Sequence, residues 1–171
     1  MLPSTPFLSI RVPQMVTLGI STNTRLLGLA IIKQNALVDY SIHLHKSSWS
    51  AWKANEIVTS MEPCVRQYCI NSVVLSIPHE HHQTKEHKIL FKKIKEYFDQ
   101  KKIPVYERKT EKVYSEYLPE QKKTKKALME VLTLQYPQLT LCYHKEICNK
   151  KRYYIKVFEA VAVAVLHEQG K

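Results

Sequence analysis

The sequence predicts an α/β domain built on a mixed five-stranded sheet, three antiparallel strands then parallel ones, with helices on its flanks. Three observations carry this. Residues 16–44 hold three apolar runs separated by short polar turns. Residues 49–70 change to a four-residue apolar spacing, the mark of an amphipathic helix. From residue 73 to 107, strand, helix and strand follow one another, an order that implies a right-handed crossover and parallel pairing.

The elements follow in order. Residues 16–21 form a strand by composition, and the polar run 22–25 turns the chain. Residues 27–33 are apolar enough for a strand buried on both faces. Gln34-Asn35 is a tight turn, and residues 36–44 alternate with a period of two. In the helix over 49–70, Ile57, Met61, Val65 and Cys69 recur every four residues, with Cys64 and Tyr68 widening the stripe. Pro63 inside it would kink or break a turn. Residues 73–78 are a short buried strand, followed by a polar loop to Thr84. A basic helix over 85–101 carries Leu90, Ile94 and Phe98 on one side. Residues 103–107 are another strand, 110–118 a short helix, and 119–123 a polar break. A helix over 125–135 carries Leu128, Val131 and Leu132. It ends at Tyr136-Pro137, because the residue before proline is steered away from helical geometry. A last helix over 155–167 is rich in alanine and valine. Residues 1–14, with Pro3, Pro6 and Pro13, read as an irregular N-terminal arm, and 15–171 as a single domain.

Composition narrows the function classes. The 171 residues include 26 Lys+Arg against 15 Asp+Glu, a formal net charge of +11. Only 3 glycines argue against a Gly-loop nucleotide site or a multi-hairpin design. No apolar stretch approaches the ~18–20 residues of a membrane span, so no membrane partner is expected. Residues 1–9 lack a basic region followed by an apolar one, and no signal peptide is expected. Four cysteines, Cys64, Cys69, Cys142 and Cys148, are too few for a dense disulfide scaffold. These features predict a reduced intracellular protein of the cytoplasm, nucleus or a nucleic-acid-containing organelle.

A polyanion is the expected partner, nucleic acid ahead of a membrane surface. The positive charge concentrates after Ile77. Lys92, Lys93, Lys95, Lys101 and Lys102 belong to the basic helix and its end. Lys122, Lys123, Lys125 and Lys126 flank the next helix. Lys150, Lys151 and Arg152 precede the last one, with Tyr153 and Tyr154 beside them. Clustered lysines make sequence-independent phosphate contacts, and adjacent tyrosines stack on exposed bases. The predominance of lysine over arginine suits phosphate contact more than base readout. The plainer alternative is an ordinary solvated charged face. His79, His81, His82 and His87 also cluster, but neither their spacing nor the cysteine pairs fit a zinc signature. They read as a polar surface loop whose protonation would reinforce anion binding.

Four short motifs carry a family resemblance. Leu18-Gly19-Ile20-Ser21-Thr22-Asn23 is followed by Gly28-Leu29-Ala30-Ile31. Val73-Val74-Leu75-Ser76 closes the central strand. Lys125 opens a helix that ends at Tyr136-Pro137, and Glu159-Ala160-Val161-Ala162-Val163-Ala164 lies in the last helix. In this order they resemble the RuvC branch of the ribonuclease-H-like fold, including its YqgF-type relatives, over about residues 15–168. In that family the first strand reads L-G-I-D-P-G, the central strand V-x-I-E, and the last helix opens D-A-x-A-x-A. The resemblance implies a ribonuclease-H-like fold and a nuclease site in which converging carboxylates hold two divalent ions, roughly 3.5–4 Å apart.

This chain departs from the pattern at the acids. Ser21 and Ser76 stand at the first two carboxylate positions, and Glu159 alone keeps an acid. A further helical acid of many relatives falls at Lys156 or Ile155, and a lysine there would oppose a cation. The expectation is a degenerate site with no catalytic residue and no metal cofactor. The protein would bind structured or branched DNA or RNA without cutting it, as a homodimer or within a larger complex. Two alternatives stand beside it. One is a nuclease dependent on Mg²⁺ or Mn²⁺, with Asp39 or Glu80 replacing the lost acids. The other is a protein-interaction scaffold that binds no nucleic acid. Glu159 also reads as a charge in the first turn of a helix, and the alanines beside it as a packing stripe. Tyr, Ile and Val of the 49–70 helix are candidates for a dimer contact.

Overall fold

The structure, a computed structural model, describes residues 14–170; the arm expected over 1–14 lies outside them except for Gln14. Five strands form one mixed sheet in the order β3-β2-β1-β4-β5. They are β1 (Val16–Thr22), β2 (Leu26–Lys33), β3 (Ala36–Leu44), β4 (Ser72–Ile77) and β5 (Val105–Lys109). β1 pairs antiparallel with β2, and β2 with β3. β4 runs parallel to both β1 and β5. This is the expected ribonuclease-H-like topology. The β2–β3 turn is made by Gln34 and Asn35, both at positive φ (52° and 62°). Two consecutive positive φ values match the right-handed twist of a two-residue hairpin.

The period of two along the strands sorts side chains into two cores. Leu18, Ile20, Leu27, Leu29, Ile31, Val73 and Leu75 face α1 (Ala51–Thr59), α2 (Glu62–Tyr68) and α3 (Lys85–Gln100). The alternate residues Ala30, Ile32 and Val74 face α4 (Thr110–Tyr117), α5 (Lys125–Gln135), α6 (Thr140–Cys148) and α7 (Ile155–Glu168). Ser21 and Ser76 fall on this second face by the same alternation.

Four details differ from the sequence expectation. The helix over 49–70 is two helices, because Pro63 lacks an N–H and crowds the carbonyl four residues earlier. α1 ends at Thr59, and Pro63 sits in the first turn of α2, where a missing N–H costs nothing. Cys69 therefore leaves the apolar stripe; it is the exposed left-handed C-cap of α2, with φ 50°. Ile57, Val58 and Val65 are buried in the core, whereas Tyr68 stays half-buried. The last strand lies two residues later than expected. The Ile103 N–H bonds back to Phe98 O of α3, and Arg108 and Lys109 pair with Ser76 and Ile77. α6 has no counterpart in the sequence reading.

α7 lies on the sheet at backbone contact. A Cβ added to Gly19 would sit 2.0 Å from Ala160 O, and one on Gly28 would sit 2.3 Å from Lys156 O. Overpacking a core ordinarily costs about 1–3 kcal/mol. Here the obstacle is main chain, which cannot rotate away. Gly19→Ala is expected to destabilise the fold by at least about 3 kcal/mol, read from the midpoint of urea unfolding. An unchanged midpoint would show that α7 does not approach this closely.

Candidate functional site

The strands β1 and β4 are neighbours, and their last paired residues are Ile20 and Leu75. Ser21 and Ser76 are the next residues on each, at the carboxyl ends of adjacent parallel strands. Open α/β sheets bind ligands in the crevice outside such ends. α7 crosses this point, and the glycine contacts set its depth. Ser21 Oγ donates to Glu159 Oε2 at 2.8 Å. Ser21, Ser76 and Glu159 are all buried, yet all three line one open groove of about 950 Å³. The three positions picked out by the family pattern therefore converge.

The chemistry at these positions is that of a charge-compensated cluster. Glu159 is the fifth residue of α7 and does not occupy its first turn, so the cap-charge reading falls away. The residue is 4% exposed. A buried carboxylate requires a counter-charge or several hydrogen bonds. Lys156 Nζ supplies the charge at 3.4 Å from Oε2, one turn earlier on the same helix. Ser76 Oγ and Thr110 Oγ1 share a hydrogen bond of 2.9 Å, and Thr110 Oγ1 also donates to Ile77 O. Thr110 opens α4 directly after β5. The sequence reading missed it, since a threonine at a strand–helix junction carries no distinctive signal.

The groove wall is basic. Lys123, Lys125 and Lys156 line it, against Glu111 and Glu159. Lys123 pairs with Glu120 at 2.6 Å, outside the groove. Lys125 forms no ion pair among the described residues. Although Lys125 is an exposed residue, partial burial of its ammonium lowers its pKa. The nearby Arg152 and Lys156 cations lower it further, against Glu159 and Glu146, which act oppositely. His79, His81 and His82 stand at the rim, with His79 Nε2 3.6 Å from Glu111 Oε1.

The loop bearing Lys150, Lys151 and Arg152 is held by Glu146 of α6. This buried carboxylate accepts from the Tyr153 N–H (3.0 and 3.1 Å) and the Tyr154 N–H (2.6 Å). It thereby satisfies backbone donors at the start of α7. Tyr153 is half-buried, with its ring against Tyr154.

The remaining basic residues divide by position. Lys122 and Lys126 are exposed beside the groove lysines, and Lys150 and Lys151 are exposed ahead of α7. Lys92 and Lys95 line a neighbouring depression that shares Pro78, His79 and Glu111 with the groove, and Lys95 pairs with Glu107. Lys93 is half-buried on α3. Lys101 and Lys102 lie at the other end of that 16-residue helix, next to the start of β5. Lys101 is tied to Glu62 at 3.2 Å. These two do not join the groove.

Neither proposed replacement acid reaches the site. Asp39 accepts from Tyr68 OH at 2.6 Å and lines a separate cavity against α2. Glu80 is exposed on a 3-10 turn in the neighbouring depression. All four cysteines are free, and among the described residues no group of three or more His, Cys, Asp or Glu is placed to hold a metal ion. No helix among them is long and apolar enough to cross a membrane.

No protein-family model matches the chain, and no curated protein matches it. Solved structures do. A Thermus thermophilus RuvC structure aligns with a TM-score of 0.68 at 13% identity, over 91% of this chain and 97% of that one. T. thermophilus RuvC in complex with Holliday junction substrate aligns with a TM-score of 0.63 at 15% identity, over 90% and 92%. At these identities the likeness is one of fold. The chain has the ribonuclease-H-like fold in the form seen in RuvC.

That fold implies a pair of divalent ions, and the donor set does not fit them. Mg²⁺ and Mn²⁺ take hard, preferably anionic oxygens. The converging groups here are two neutral hydroxyls and one carboxylate, and an ammonium already sits on that carboxylate. Titration with Mn²⁺ should leave the amide signals of Ser21, Ser76 and Glu159 unbroadened in NMR spectra. Selective paramagnetic broadening of all three would contradict this account of the site.

Proposed function

We propose that this chain binds structured or branched nucleic acid through its groove and the basic surface around it, and does not cut it. One observation carries the reading. The positions that correspond to the family's acids converge at the end of the sheet, but two present hydroxyls and the third an acid neutralised by lysine. On this reading the groove at the sheet end serves phosphate contact, with two of the acids of the family pattern absent and the third paired with lysine. The motif pattern resembling RuvC and YqgF-type proteins supports the reading, as does the net charge of +11. So does the solved RuvC complex with a Holliday junction substrate, whose fold this chain shares. The same reading makes Lys122, Lys123, Lys125, Lys126, Lys150, Lys151 and Arg152 the main phosphate contacts. Lys92, Lys93 and Lys95 extend them along α3, and Tyr153 is a stacking side chain. Association with a second copy or with a larger assembly is compatible with it.

Binding of a labelled four-way DNA junction, a duplex and an RNA hairpin should be measured by fluorescence anisotropy at about 50 and about 200 mM salt. The expected result is binding that weakens by at least about tenfold across that range, as counterion release by several phosphate contacts requires. Lys125→Gln combined with Lys126→Gln should reduce the salt slope by roughly 2. Binding to none of the three would favour a scaffold role. Mn²⁺-dependent cleavage that disappears in Glu159→Gln would favour a nuclease with substituted ligands.

A further inference from the structure

We infer that Lys156 does the electrostatic work of the missing divalent ions, so that the groove holds a phosphate group directly, without metal, between Lys156 and Lys125. The inference rests on the nucleic-acid reading, under which that group is a backbone phosphodiester.

The argument begins with charge. A two-ion site places concentrated positive charge between acids and phosphate. Here Ser21 and Ser76 remove two negative charges, and Lys156 adds a positive one at the same place. The Lys156 ammonium carries three donors. One is directed to Glu159 Oε2, and the side chain keeps 20% of its exposure, on the groove. Lys125 faces the same space with no carboxylate partner among the described residues, and Arg152 stands near it. Glu159 balances Lys156, so Lys125 and Arg152 carry the positive charge that an entering anion would offset.

A second observation is independent of the lysines. Tyr114 lines the groove, and its buried hydroxyl has no hydrogen-bond partner among the described residues. An unpaired buried polar group is costly, and native structures rarely leave one without a reason. Burial, helped by the Glu159 charge, raises the phenol's pKa above its ordinary range. It therefore stays protonated, and a small turn of the ring toward the groove would let it donate to a bound anion. The hydroxyls of Ser76 and Thr110 stand in the same groove. Tetrahedral phosphate, with several acceptor oxygens and negative charge, fits two ammonium groups and a phenol better than a neutral or planar ligand would.

The test titrates inorganic phosphate into the labelled full chain in EDTA, followed by amide NMR, and measures junction DNA binding in EDTA and in Mg²⁺ at matched ionic strength. Phosphate should shift the amides of Thr110, Tyr114, Lys125 and Lys156. Junction affinity should be as strong in EDTA as in Mg²⁺. Lys156→Gln should weaken both ligands by about tenfold, whereas Lys102→Gln, at the far end of α3, should weaken junction binding by less than about twofold. Tyr114→Phe should weaken phosphate binding while leaving the amide spectrum otherwise native. The inference is overturned if phosphate shifts no groove amide, if junction binding requires Mg²⁺, or if Lys156→Gln and Lys102→Gln behave alike in a spectrum that remains folded. Salt-dependent junction binding with no groove response would keep the nucleic-acid reading and remove the phosphate site. A groove response without junction binding would do the reverse.

Discussion

The structure depends on how closely α7 can approach the sheet. Gly19 and Gly28 expose bare main chain on two adjacent strands, and α7 meets them through the carbonyls of Ala160 and Lys156. Burying apolar surface at ~25 cal/mol per Å² drives the contact, but the absence of two Cβ atoms sets its depth. The consequence is chemical. At this depth Glu159 reaches Ser21, and Lys156 projects into the groove at the carboxyl ends of β1 and β4. With a larger residue at either glycine, the helix would stand off and the three positions would no longer share one cavity. The stripe of small residues is thus a packing device, and the site is a product of the packing.

What the packing brings together is an acid that must be neutralised. A carboxylate as buried as Glu159 can be balanced by bound cations or by a fixed one. This chain supplies the fixed one from its own helix, with a serine hydroxyl completing the shell. A fixed ammonium differs from an exchangeable metal ion in two ways. It needs no second or third acid to retain it, which is consistent with serine at Ser21 and Ser76. It also cannot generate a metal-bound hydroxide as nucleophile. The groove that results is lined by Lys123, Lys125 and Lys156 and presents, at the three converging positions, one lysine-paired carboxylate where a two-ion site uses several.

Much of the fold is legible in the sequence where periodicity and turn chemistry agree. The span of β3 and the span of α5 are found where alternation, Gln34-Asn35 and Tyr136-Pro137 place them. The misses have local causes. Pro63 acts as a start for α2 because a helix interior cannot hold it. β5 begins late because Ile103 finishes the exit from α3. α6 is hidden because one of its two buried residues is Glu146, whose partners are backbone N–H groups of a later loop. The site was legible as a set of positions, because the motif order can be followed even where Ser21 and Ser76 stand in place of acids. The pairing of Lys156 with Glu159 was not, since the charge of residue 156 read only as hostile to a metal. Tyr114 and Thr110 enter the groove through the path of α4, which nothing local announces. Lys101 and Lys102 show the converse limit: charge that is contiguous in sequence is divided in space by the length of a helix.

The central claim is that Glu159 is balanced by Lys156, and a double-mutant cycle tests it most directly. Unfolding free energies are measured in EDTA for the native chain, Lys156→Met, Glu159→Gln and the double variant. Removing Lys156 alone leaves a buried carboxylate uncompensated, while removing both leaves no charge to balance. The account predicts a coupling of about 1–3 kcal/mol, with the double variant more stable than Lys156→Met. Additive effects within about 0.5 kcal/mol would contradict it.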